Sequence, residues 1–151
     1  MLENKIPPPL VTLLCGVAMW CISLISPKLQ VNPSVQWGGS SLLLLTGLLF
    51  SFAGVIAFRR ARTTVNPLKP ESASALVRSG VYRITRNPMY VGFAFVLLAW
   101  ACILGSPWTL AGILMFILYM NRYQIGPEER ALTSLFQNQY LEYQTKVRRW
   151  L

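Results

Sequence analysis

Leu76-Val77-Arg78-Ser79-Gly80-Val81-Tyr82-Arg83-Ile84-Thr85-Arg86-Asn87-Pro88-Met89-Tyr90-Val91-Gly92 packs three arginines, two tyrosines, two glycines and a proline into the last stretch before a long apolar run. Polar groups are therefore concentrated at the edge of an apolar body. Pro88 marks the crossing point. Proline suits the first helical turn, where its missing N–H costs nothing, and it disfavours helix at the residue before it. Arg86 and Asn87 are thus expected on non-helical backbone at the mouth of a helix running on to Leu104.

The rest of the chain explains what that helix enters. Of its 151 residues 54% are hydrophobic and 13% charged, with mean hydropathy +0.45. An average soluble domain carries about 25% charged residues. The composition is that of an integral membrane protein. A net charge of +9 raises the question of a nucleic-acid partner. Nucleic-acid binding needs a solvated basic face, however, and here the basic residues flank apolar runs, so no such partner is expected.

Leu10 to Ile25 forms the first apolar run, preceded by Pro7-Pro8-Pro9 and ended by Ser26-Pro27-Lys28. No A-x-A cleavage site follows it, so it is read as a retained span. Asn32-Pro33 and Gly38-Gly39 are turn signals and predict a loop over 30–39. Ser40 to Phe58 is long enough to cross a hydrocarbon core, which takes about 20 residues, and Arg59-Arg60-Ala61-Arg62 stops it. Within it Gly47 and Ser51 form a small-residue face suited to close helix packing. The polar stretch from Ala61 to Asn87 is predicted to hold a short helix over Ala73 to Arg78. A loop this long is often functional.

Gly105-Ser106-Pro107 closes the third run and joins it tightly to a fourth, Trp108 to Tyr119, so these two helices form an antiparallel hairpin. Gly126-Pro127 is expected to break the chain. Beyond it Leu132, Leu135, Phe136, Tyr140, Tyr143 and Val147 recur every three to four residues, one apolar stripe on a helix too polar to span. The expected fold is an all-α membrane bundle, one domain over 1–151. It has four transmembrane helices near Pro9–Ser26, Ser40–Phe58, Pro88–Leu104 and Pro107–Tyr123, and a C-terminal amphipathic surface helix near Pro127–Val147. Basic residues crowd the connection from Arg59 to Arg86 and the C-terminal tail, while the other two connections hold only Lys28. The positive-inside tendency then places both termini in the cytoplasm.

The chain has no His and no Asp, which excludes Ser-His-Asp triads, histidine zinc sites and aspartate two-metal sites. Cys15, Cys21 and Cys102 lie in apolar runs without metal spacing, so neither a metal nor a disulfide is expected. Chemistry falls to Glu, Tyr, Arg and backbone. Arg83 and Arg86 read either as topological anchors or as carboxylate binders. Glu128 and Glu129 read either as first-turn acids offsetting a helix dipole or as ligand contacts. Pro88 and Gly92 read as a helix start and a packing site, or as part of a pocket that Tyr90 also faces.

Taken together, Ser79-Gly80-Val81-Tyr82-Arg83, Arg86-Asn87-Pro88-Met89-Tyr90-Val91-Gly92 and Glu128-Glu129-Arg130, with Phe136, Tyr140 and Tyr143, resemble the isoprenylcysteine carboxyl methyltransferase and phospholipid methyltransferase superfamily of integral membrane enzymes. The resemblance runs from Thr64 onward. It departs at Asn87, where histidine is frequent, and at Val81, where proline is common. The resemblance implies an S-adenosylmethionine-dependent methyltransferase whose cofactor part covers about 64–151. It further implies a cofactor site of Arg83, Asn87, Pro88, Tyr90, Gly92, Glu128 and Glu129, catalytic roles for Arg86 and Glu129, and a lipophilic acceptor reached from the bilayer. Methyl transfer from a sulfonium is an in-line displacement that positioning and electrostatics can drive without metal or histidine. An isoprenylcysteine-like carboxylate and a phospholipid amine both remain open as acceptors. The competing reading is a non-catalytic membrane scaffold or small-ligand-binding protein.

Overall fold

The computed structural model describes residues 5–61 and 75–151. Five α-helices carry the chain: α1 Pro8–Ile25, α2 Pro33–Arg60, α3 Pro88–Leu104, α4 Leu110–Tyr119 and α5 Gly126–Lys146. Among the described residues there is no strand, only an isolated parallel bridge between Thr85 and Arg148.

Prolines and one asparagine set the helix starts. Pro8, Pro33 and Pro88 each stand in a first helical turn. Helix α2 begins at Pro33, not at Ser40 as expected, because the Asn32 side chain accepts a hydrogen bond from Ser34 N at 2.9 Å and caps the helix. Asn followed by Pro serves a turn and a helix start equally well, and here the cap wins. Helix α3 ends where expected, on Gly105 in the left-handed conformation (φ 67°). Its last carbonyls are satisfied from α2: Gln36 Nε2 donates to Cys102 O at 2.8 Å and Ile103 O at 3.1 Å. At the same end Leu29 N donates to Gly105 O at 2.8 Å, and the hydroxyls of Ser26 and Ser106 lie 2.7 Å apart.

The α2–α3 contact is made by missing side chains. A Cβ on Gly92 would stand 2.1 Å from Ser51 Oγ and 2.6 Å from Gly47 O, and one on Gly54 would stand 2.7 Å from Met89 Cγ. The small-residue face of α2 is thus an internal seam. Helix α1 closes on the other side. Met19, fully buried, packs where Gly112 of α4 leaves room, and Trp100 Nε1 donates to Gly16 O at 3.1 Å. Phe116, Met120 and Ile125 complete this core.

The outer faces are apolar as well. Leu13 is 62% exposed, Leu42 67% and Phe52 62%. Helices α1 and α2 are long and apolar enough to cross a membrane. A water-soluble core helix would bury such side chains, so their solvent is hydrocarbon. Helix α3 is apolar throughout at 17 residues.

The expected break at Gly126-Pro127 does not occur. The chain passes from α4 through a π-turn, Met120–Ile125, directly into α5. Proline removes one helical N–H, and the wider π register takes up that mismatch without ending the helix. The break comes later, at Gln137 (φ 42°, ψ −122°), where α5 kinks. The expected single stripe is divided there: Tyr140 and Tyr143 beyond the kink are buried, while Leu135 before it is 43% exposed. The predicted helix over Ala73 to Arg78 begins outside the described residues, and its described part, 75–78, is not helical. A 3-10 turn over Gly80–Arg83, which periodicity did not indicate, follows it.

Candidate functional site

Where α3 begins, three segments meet: the residues leading into Pro88, the first turns of α5, and the C-terminal residues after Lys146. Val147 is extended and turns the chain back towards α3. Arg86 N donates to Arg148 O at 2.9 Å, Thr85 Oγ1 to Arg149 O at 3.2 Å, and Asn87 Nδ2 to the same carbonyl at 2.9 Å. Trp150 Nε1 reaches Asn121 Oδ1 on the π-turn at 3.0 Å. The C-terminal strap is therefore pinned to both α3 and the α4–α5 junction. Tyr143 adds a further tie by donating its hydroxyl to Tyr82 O at 2.6 Å.

Charges sit inside this frame. Glu129 receives Arg149 through Nε at 3.1 Å and Nη2 at 2.5 Å, a two-bond fork. Arg86 Nη1 stands 3.2 Å from Glu129 Oε1, at ion-pair distance but without the alignment of a hydrogen bond. The Arg86 side chain is 11% exposed, and its Nε and Nη1 are buried without a hydrogen-bond acceptor. Glu128 Oε2 accepts from Tyr90 Oη at 3.0 Å. Burial pushes the Glu128 carboxyl up to about 7; the Tyr90 hydrogen bond opposes that rise and the neighbouring Glu129 charge adds to it. Burial likewise raises the Tyr82 hydroxyl well above its ordinary range, so Tyr82 stays neutral.

Tyr82, Arg86, Asn87, Met89, Tyr90 and Glu128 line a small cavity of about 10 Å³. That is about the room one water needs. Of the residues singled out from the sequence, Arg86, Asn87, Tyr90 and Glu128 line the cavity, and Glu129 joins them through Arg86. Pro88 and Gly92 stand at the α2 seam. Arg83 is exposed and faces a different recess. Sequence reasoning missed Tyr82, Thr85, Arg149 and Trp150. From the sequence Arg149 is one more basic residue of the C-terminal tail, and nothing local signals that its carbonyl and its guanidinium both fold back on the site.

The donor set suits a small zwitterion that carries both an anion and a cation. Two unsatisfied guanidinium N–H groups call for an anionic acceptor, and a carboxyl beside them that titrates near neutrality calls for a cation. Among the described residues no three His, Cys, Asp or Glu side chains gather as a metal centre.

Fold and site together define a helical membrane protein with a buried pocket of mixed charge at one end of its apolar helices. The phospholipid methyltransferase family model matches residues 36–139, more than half of the chain, and the chain belongs to that family. It is 36% identical over 80 residues to the protein-S-isoprenylcysteine O-methyltransferase of Saccharomyces cerevisiae, covering 52% of this chain and 33% of that one. With the methanethiol S-methyltransferase of Pseudomonas deceptionensis it shares 32% identity over 120 residues, 78% of this chain and 43% of the other. An uncharacterised protein of Haemophilus influenzae matches over its whole length, 44% identical over 63 residues and 42% of this chain. The chain thus spans less than half the length of these two named methyltransferases. No solved structure matches it.

Proposed function

We propose that this protein is an S-adenosylmethionine-dependent methyltransferase of the membrane, with four membrane-crossing helices and a site at their cytoplasmic end. The single observation that carries the reading is Arg86, a buried guanidinium with two N–H groups lacking acceptors, held beside Glu128 and Tyr90. S-adenosylmethionine, when bound, supplies an electrophilic methyl group on a sulfonium. Arg86 would hold its carboxylate, and Glu128, oriented by Tyr90, its amino group. Glu129 and Arg149 fix the Arg86 guanidinium from behind, and Asn87 ties the strap over the site. The acceptor is lipophilic, since the site stands where α3 enters an apolar phase. The relatives named as methyltransferases act, by their names, on isoprenylcysteine and methanethiol, which supports an acceptor of that character.

Binding of S-adenosylmethionine to the detergent-solubilised protein tests this by calorimetry. Wild type is expected to bind, and Arg86→Lys, which keeps the charge but not the planar fork, to bind at least about tenfold more weakly, or ~1.4 kcal/mol. Absence of binding to wild type at millimolar cofactor would leave the non-catalytic scaffold as the better account. Full binding by Arg86→Lys would reduce Arg86 to a topological anchor.

A further inference from the structure

A second recess opens between the 3-10 turn and the end of α5, across Tyr82 and Tyr143 from Glu128. Arg78, Arg83, Glu142, Tyr143, Lys146 and Val147 line it, and its volume is about 380 Å³. Lys146 Nζ lies 2.5 Å from Glu142 Oε1 and holds that carboxylate, which Arg78 also attracts from further off, so three cations share one acid. Arg78 and Arg83 keep most of their charge unanswered. Both are exposed, and neither forms an ion pair among the described residues. Two guanidiniums lining one recess repel each other, and an anion between them turns that repulsion into two attractions. Their planar forks match the oxygens of a phosphate.

The surroundings say which phosphate. Ile84, next in the chain after Arg83, is 58% exposed, and Leu141, next before Glu142, is 47% exposed. Arg83 precedes Pro88, where α3 begins its apolar run, by five residues. Exposed apolar residues therefore adjoin two lining residues of the recess in the chain, shortly before the helix that enters hydrocarbon. A free anion would use the arginines and leave that surface unmatched. We propose that this recess binds the phosphate headgroup of an anionic membrane phospholipid, with Arg78 and Arg83 on the phosphate and the acyl chains beside Ile84. The proposal rests on the membrane reading of the chain and not on methyl transfer.

Its test uses dihexanoylphosphatidylglycerol and dihexanoylphosphatidylcholine as probes, titrated against the intact detergent-solubilised protein with binding read by calorimetry. Wild type is expected to prefer the anionic lipid by at least about tenfold. Arg78→Gln with Arg83→Gln, both at exposed positions, should abolish the preference. Arg59→Gln with Arg60→Gln removes the same charge from the exposed end of α2, from residues that do not line the recess, and should leave it intact. Equal loss in both double variants would reduce the effect to general charge and overturn the site. A preference that survives Arg78→Gln with Arg83→Gln would overturn it too. If inorganic phosphate at matched concentration displaces the lipid, the recess is a free-anion site and the lipid assignment fails. Cofactor binding enters none of these readouts, so the result stands apart from the methyltransferase proposal.

Discussion

Glu128 and Glu129 are adjacent and chemically alike, yet their neighbours separate them. Glu129 is forked by Arg149 and approached by Arg86, so its charge is matched by protein. Glu128 has a tyrosine hydroxyl for its partner, and burial lifts its carboxyl from 4.5 to about 7. Two consequences run in opposite directions with pH. The folded protein holds the Glu128 proton more tightly than the unfolded chain does, so the associated stability is complete below about pH 4.5 and is lost as pH rises through about 7. The ammonium of the proposed cofactor, in contrast, would be attracted to the ionised carboxylate, so its affinity should rise over the same range. With a carboxyl at about 7, the ionised fraction and hence the affinity grow about fivefold between pH 6 and 7, a range in which an α-amino group keeps most of its proton. Calorimetric titrations at both pH values check this, with Glu128→Gln expected to bind weakly and without the pH slope. A slope that persists in Glu128→Gln would assign the titration to another group.

At the scale of elements, the seam between α2 and α3 holds the site's floor. Gly92 lies one turn beyond Met89, and its missing side chain lets α3 approach the Gly47 carbonyl and Ser51. Gly92→Ala places a methyl 2.6 Å from a backbone oxygen, which has no rotamer to change, so the helices must separate. A loss of about 1–3 kcal/mol follows from overpacking of this kind. Ser51→Gly in the same chain should restore only part of it, because the carbonyl remains. Thermal unfolding in detergent measures both, and a fully stable Gly92→Ala would show that the seam is looser than its geometry. These elements differ in how far the sequence disclosed them. Helix α3 was legible at both ends because Pro88 and Gly105 punctuate it unambiguously. The start of α2 was not, because Asn32-Pro33 has the same composition as a turn and only the bond to Ser34 distinguishes the two. Gly126-Pro127 misled for a related reason: a π-turn absorbs the proline locally, and periodicity does not register one extra residue per turn. The meeting of Arg86 with Glu129 was approachable through family resemblance. The strap was not, because its contacts are backbone carbonyls between residues some 60 positions apart.

For the whole molecule, the contacts sort polar groups to two ends, and the charges do not divide evenly between them. One end carries Ser26, Leu29, Gln36, Gly105 and Ser106, joined by neutral hydrogen bonds. At the other, the strap residues Arg148 and Arg149 bond directly to Thr85, Arg86 and Asn87, so the C-terminus and the arginine-rich approach to α3 share a side by geometry. Arg59 and Arg60 close α2 at that same end, and Arg78 and Arg83 stand in the connection from α2 to α3. The uneven charge has a physical consequence during insertion. Cationic connections are retained on the cytoplasmic side, and each basic residue near an anionic leaflet is favoured there by about 1 kcal/mol. The cationic end, with the site and the phosphate recess, is therefore expected to face the cytoplasm, and the neutral end the opposite compartment. In a chain with Cys15, Cys21 and Cys102 replaced by alanine, single cysteines at Ser79 and Gln30, both exposed, report the two ends. A membrane-impermeant maleimide added to intact cells should label Gln30→Cys, and Ser79→Cys only after the cytoplasmic face is opened. The reverse pattern would invert the orientation and move the site to the far compartment. Labelling of both from outside would mean that the chain does not cross the bilayer between them, and the four-span proposal would fall with it.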